Sequence, residues 1–239
     1  LHDALPILAG VAALLIAEPT DGRLSVAQKG CLWLTITVAG QTAHAAQPET
    51  GVSAVEGALR LTTVVRAALL EQSAAAGMDG DALLGGPTAV ITGLQAGVAH
   101  NMVPDACRVQ LDIRTLPGGS HAALLARVRE AADALHRENP AWQTTVDVLN
   151  DRMPLGLSPK HPAAARFLEI ARTVTGAAPA ICGTRYFTDA SILAKNRPAL
   201  PVLLYGPGDP AQAHRPDESV SLARYFDSAA VYREICRRY

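Results

Sequence analysis

Two hundred and thirty-nine residues, 49% of them apolar, leave room for one large domain or two modest ones with a real core, and exclude an intrinsically disordered chain. Twenty-one Lys and Arg against 22 Asp and Glu give a net charge of -1, and no basic cluster precedes Arg237-Arg238, so a nucleic-acid partner is not expected. The longest apolar run, Leu8 to Ala17, is shorter than the ~18 residues of a membrane span, and the widely spaced Cys31, Cys107, Cys182 and Cys236 suit free thiols in the cytoplasm better than a disulfide frame.

The chain does not open on Met, and His2 to Ile7 can be encoded by DNA resembling the end of a common sequencing adapter; that stretch is set aside as an assembly scar. Leu8 to Ala17 reads as a buried parallel strand with nothing before it, so part of its sheet is expected to lie upstream, leaving strand edges unpaired. Glu18 precedes Pro19 and should mark the end of that strand, where open α/β sheets bind ligands.

Cys31 to Ala39 (CLWLTITVA) predicts a half-buried strand. From Ser53 to Glu71, Val55, Ala58, Leu59, Val64, Val65 and Leu69 recur at helical spacing against Arg60, Arg66 and Glu71. A Gly- and Ala-rich connector leads to strands Thr88 to Leu94 and Cys107 to Arg114, then a helix capped by Ser120 and stopped at Asn139-Pro140, then the strand Gln143 to Leu149. The order is β-α-β-β-α-β, the ferredoxin-like arrangement. Beyond it come a helix His161 to Thr175, a short helix Thr188 to Ala194, a buried strand Pro201 to Tyr205 and a helix Ser219 to Arg237. The expected fold class is α/β, with a partial parallel-sheet domain (8–29 and 150–239) interrupted by an inserted ferredoxin-like domain (30–149).

No nucleophile elbow, phosphate loop or dinucleotide fingerprint is present. Polar residues placed in turns remain. His44 lies in GQTAHAAQPETG after a strand, His214 in GPGDPAQAHRPDE after the buried strand, and both are framed by Gly and Pro. Glu18 and His214 could form a zinc pair or an ordinary His–carboxylate hydrogen bond. Asn101 occupies the turn HNMVPD. Arg114, closing DIR, could grip a substrate carboxylate two-pronged or pair internally with Asp112 or Asp105. His100, His121, His136 and His161 read as surface residues.

Taken in order, Glu-Pro-Thr at a strand end, GQTAHAAQPETG, HNMVPDACRVQLDIR, TRYFTDASIL and GPGDPAQAHRPDE resemble the dinuclear-zinc amidohydrolase and metallopeptidase family of acetylornithine deacetylase, succinyl-diaminopimelate desuccinylase, aminoacylase and glutamate carboxypeptidase. The resemblance implies a zinc-binding α/β domain carrying a ferredoxin-like lid through which subunits form a homodimer. It implies Glu18 and His214 as ligands of different metal ions, His44 as the lid histidine polarising the scissile carbonyl in a partner's site, and Asn101 and Arg114 as substrate-holding residues. Thr188 and Asp189 match a loop motif of open role. Two divalent ions, zinc or else cobalt or manganese, would activate a water against the amide of an N-acyl amino acid or small peptide, with a glutamate as general base. The family's H-x-D motif, bridging aspartate and Glu-Glu pair all precede Glu-Pro-Thr and are absent here, so the chain as written is expected to be an inactive C-terminal fragment. The alternative is a non-catalytic dimerisation or small-molecule-binding module.

Overall fold

The computed structural model describes residues 10–77, 82–197 and 199–238; His2 to Ile7 lie outside them. In chain order the elements are β1 (Leu14–Ile16), β2 (Leu24–Gln28), β3 (Cys31–Ala39), α1 (Ala54–Ala75), β4 (Thr88–Ala96), β5 (Ala106–Arg114), α2 (His121–Glu138), β6 (Gln143–Arg152), β7 (Leu155–Gly156), α3 (Pro162–Thr175), β8 (Ile181–Thr184), α4 (Ala190–Leu193), β9 (Val202–Leu204) and α5 (Leu222–Arg238). They form a mixed α/β protein that divides into two units: Leu1–Lys29 with Ala82–Leu84 and Pro154–Tyr239, and Gly30–Asp81 with Gly85–Met153. No helix among the described residues is long and apolar enough to cross a membrane.

The second unit runs β-α-β-β-α-β, the order its sequence predicts, in an antiparallel sheet ordered β4-β5-β3-β6. Alternation along β5 buries Cys107, Val109, Leu111 and Ile113 and turns the intervening residues outward, because successive side chains of a strand point to opposite faces. Leu32, Leu34 and Ile36 of β3 join them under Ala58, Leu61 and Val65 of α1 and Leu124, Val128 and Leu135 of α2. Ser53 caps α1, its hydroxyl accepting from Glu56 N at 3.3 Å, and Glu56 completes the S-x-x-E pattern of a capping box. Gly57 lets α1 approach closely: a Cβ there would sit 3.0 Å from Trp142 Nε1, which donates to the Ser53 carbonyl. Leu59, expected on the apolar face, is instead 48% exposed.

The first unit departs from the expected all-parallel sheet. β1 pairs with β9 in parallel, but β9 meets β2 antiparallel, β2 meets β7 antiparallel and β8 in parallel. Leu203 and Tyr205 pack with Leu24, Val26, Phe167 of α3 and Val231 of α5, while Val202 and Leu204 on the opposite face pack with Ala190 and Ala194 at α4. Helices therefore cover both faces. The strand expected over Leu8 to Ala17 is confined, among the described residues, to the half-buried Leu14–Ile16, paired on one side by β9. β2, buried throughout, escapes a hydropathy reading because Ser25 and Gln28 are polar. Their partners come from distant sequence, Thr184 Oγ1 donating to Ser25 Oγ at 2.8 Å and Thr188 Oγ1 to Gln28 Oε1 at 2.7 Å.

Candidate functional site

In the first unit the register Ile16↔Leu204 fixes two adjacent parallel strands, and the segments bearing Glu18 and His214 leave from their common carboxyl end. The two exits are stitched together. Tyr205 N donates to Ile16 O at 3.0 Å, Gly206 N to Thr20 Oγ1 at 3.0 Å, Gly22 N to Gly206 O at 2.8 Å and Asp21 N to Gly208 O at 2.7 Å. Only glycine serves at position 206, since a Cβ would fall 2.4 Å from the Glu18 carbonyl oxygen.

Glu18 is half-buried, and its carboxyl titrates above the ordinary carboxylate range, first through burial and then through the negative charge of Asp189. Asp189 stands at the N-terminus of α4 without spending its side chain on the cap. Its neighbour Thr188 is held by Gln28 and accepts from Ala190 N at 3.2 Å. Tyr186 donates to Pro19 O at 3.1 Å, and burial together with the Glu18 charge pushes its phenol up to about 12. Tyr186 falls within the TRYFTDASIL motif, which gives it no role by itself, and Gln28 has no local signal, because its pairing with Thr188 spans 160 residues.

His214 adopts a left-handed backbone at φ 64, uncommon for a side-chain-bearing residue, and is exposed. Its backbone N–H donates to Glu218 Oε2 at 3.3 Å, while Gln212 Oε1 accepts from Ser219 N and Oγ, closing the loop on itself. Glu18 and His214 are metal-binding residue types, but among the described residues no three His, Cys, Asp or Glu side chains gather into a group that could hold a metal ion.

In the second unit His44 and Asn101 come together. Ala45 N donates to the Asn101 carbonyl at 2.9 Å, Val103 N to Ala43 O at 2.9 Å, and His44 bridges to Met102. The Ala46 N–H donates to His44 Nδ1 at 3.1 Å, so a neutral ring carries its proton on Nε2, and the residue sits on an exposed turn. Arg114 lies elsewhere. It closes β5, nine residues that span about 27 Å from the end adjoining the Asn101 turn. There it grips Asp112 with Nε 2.7 Å from Oδ1 and Nη2 2.9 Å from Oδ2, and Trp33 Nε1 donates to the same carboxylate at 3.0 Å. The internal pair weighed for Arg114 is therefore made with Asp112.

One histidine reading is corrected. His121, taken for a surface residue, is 2% exposed; its Nε2 lies 2.7 Å from Thr115 Oγ1 and its Nδ1 2.6 Å from Asp151. These partners stand 6 and 30 residues away, beyond the reach of a helical or strand period.

Residues 26–140 match the family model described as a peptidase dimerisation domain. Over 94% of its length the chain is 33% identical to a putative succinyl-diaminopimelate desuccinylase of Mycobacterium tuberculosis, covering 57% of that protein. It is 26% identical to an acetylornithine deacetylase of Photorhabdus laumondii over 87% of its length, covering 52% of the relative. The chain thus spans about half the length of the curated relatives it matches. Its fold is shared with an aminopeptidase of Bacillus cereus, at a TM-score of 0.73 and 20% identity over 94% of the chain and 56% of the enzyme. It is shared also with a dipeptidase of Saccharomyces cerevisiae, at 0.65 and 15% over 97% and 60%.

Proposed function

We propose, from the match of residues 26–140 to the peptidase dimerisation domain and the likeness to a desuccinylase and a deacetylase, that the chain serves metal-dependent hydrolysis of the amide bond in N-acyl amino acids or small peptides. The observation that carries the reading is the β1–β9 pair, which sends Glu18 and the His214 loop out of one end of the sheet, with Asp189 beside Glu18. Glu18 and His214 each contribute one donor to a centre of two divalent ions, zinc or else cobalt or manganese. Among the described residues these donors do not complete either shell, so no turnover is assigned to the 239 residues alone, and the chemistry assigned to them is what their own side chains perform. His44 presents Nε2–H to the developing oxyanion of a scissile carbonyl, Asn101 holds the substrate from the adjoining turn, and Arg114 receives a carboxylate by exchanging Asp112 for it. The long separation of Arg114 from His44 along β5 supports a dimer in which these groups serve ligands of different subunits. Four free thiols support a cytoplasmic setting.

The test is to translate the coding frame upstream of Gly10 and assay its product, with added zinc, cobalt or manganese, on N-acetyl and N-succinyl amino acids and on dipeptides. Metal-dependent release of the amine is expected. A product that takes up metal but cleaves none of these overturns the substrate class. One that contributes no further ligands and binds no metal leaves the second reading, a dimerisation or small-molecule-binding module, which the match of residues 26–140 to a dimerisation domain favours.

A further inference from the structure

The first unit contains a cavity of about 530 Å³ at the ends of β2 and β8, with Thr20, Arg23, Cys182, Thr184, Arg185 and Tyr186 among its walls. Among the described residues its walls include two arginines and no carboxylate; neither Glu18 nor His214 contributes to them. Asp21, the acid nearest in sequence to Arg23, is turned to Arg224, at 3.3 Å, and so does not neutralise it. Neither Arg23 nor Arg185 forms an ion pair with a carboxylate among the described residues.

Arg23 is also oriented. Its Nε donates to the Thr20 carbonyl at 3.3 Å, and Thr20 is itself buried and fixed by Gly206 N at 3.0 Å, which leaves the two terminal nitrogens of the guanidinium available. The charge of Arg23 reaches the Cys182 thiol in the cavity wall, opposing the burial that pushes that thiol up. Leu24 pairs with Ile181 and Gln28 with Thr184 in parallel, so Arg23 precedes one strand and Arg185 follows the other, and the two arginines line the cavity from opposite ends of the strand pair. Tyr186, its hydroxyl committed to Pro19 O, adds a neutral wall.

We propose that this cavity binds a small oxyanion, the carboxylate or phosphate group of a low-molecular-weight ligand. Planar guanidinium forks match both groups with paired N–H···O bonds, and a concave wall carrying charge of one sign concentrates the opposite ion. The cavity volume suits a small ligand, not a polymer. None of the residues assigned to amide cleavage lines the cavity, which adjoins them through Pro19, next to Glu18, and Ala211 of the His214 loop.

The experiment titrates the isotope-labelled 239-residue chain with succinate, acetate and inorganic phosphate at constant ionic strength, following arginine Nε–Hε and backbone amide resonances. Saturable shifts are expected at Arg23, Arg185 and Gly183. Arg23→Gln and Arg185→Gln should each weaken binding about tenfold or more, as loss of a hydrogen bond to a charged group implies. Arg129→Gln, on the exposed face of α2, should leave binding unchanged. Tighter binding of succinate than of phosphate identifies a carboxylate ligand, and the reverse identifies a phosphoryl group. Shifts in the wild-type chain that centre elsewhere or fail to saturate by about 100 mM overturn the proposal, as does unaltered affinity in both glutamine variants; the wild-type mapping decides the matter even if a variant misfolds.

Discussion

Arg114 and Asp112 stand two residues apart on one strand and share two hydrogen bonds, of 2.7 and 2.9 Å, on the same face of β5. Each is about a quarter exposed, so the pair is shielded from water more than an ordinary surface ion pair. Replacing Asp112 by Asn should destabilise the chain by about 1–3 kcal/mol, because it leaves a partly buried guanidinium with a weaker partner and costs Trp33 its charged acceptor. Urea unfolding measures this; a change within about 0.5 kcal/mol would place the pair among surface bridges of no energetic consequence.

The hydrogen-bonded chain Thr115–His121–Asp151, buried at Thr115 and His121 and exposed at Asp151, makes a second prediction. His121→Leu fills similar space but removes both ring nitrogens, leaving the Thr115 hydroxyl, itself 2% exposed, without its partner. The expected cost is about 2–4 kcal/mol from that orphaned hydroxyl and the lost carboxylate contact. Thermal unfolding at neutral pH distinguishes this from the few tenths expected of a surface histidine.

Alkaline pH supplies a third. The phenols of Tyr186 and Tyr232 are both pushed up to about 12 in the folded chain, chiefly by burial. An unfolded tyrosine loses its proton near 10. Between pH 10 and 12 the native state therefore holds more protons than the unfolded state, and stability falls as pH rises through that window. Unfolding free energies at pH 8, 10 and 11.5 should decline in that order, more gently in Tyr232→Phe; equal slopes in wild type and variant contradict the role of Tyr232.

His214 supplies a fourth. A side chain held at positive φ costs about 1 kcal/mol relative to glycine, and the imidazole is exposed. His214→Gly should leave stability unchanged or raise it by up to about 1 kcal/mol while lowering metal uptake of the upstream-extended product. Strain at this position would then be the cost of presenting a ligand. Destabilisation beyond about 1 kcal/mol would show that the ring supports the loop instead.

The inserted unit was legible because its strands and helices carry their own periodicities: β3 falls on Cys31–Ala39 as read from CLWLTITVA, and α2 starts after the Ser120 cap. The first unit was less so. β2, β7 and β8 are two to five residues long and depend on partners far away, which a local pattern cannot register. The motif residues at the candidate site stood out through the Gly and Pro around them. Their supports, Gln28 behind Thr188 and Tyr186 on Pro19, are set by tertiary pairing and emerge only in three dimensions, as does Asp151 behind His121 in the inserted unit.

The pairing of Leu14–Ile16 with Val202–Leu204 also dictates an order of assembly. Its partners are separated by 188 residues, and closing so long a loop before any contact rewards it makes this a late event. During synthesis from the amino end, residues 30–153 can collapse on their own core as soon as β6 is free of the ribosome. Leu14–Ile16 must then wait for its partner β9, which falls among the last forty residues. Refolding should accordingly show a fast phase reported by Trp142 in the inserted unit and a slower one reported by the tyrosines around Tyr205, with the interval between them setting the period of greatest exposure to chaperones and proteases.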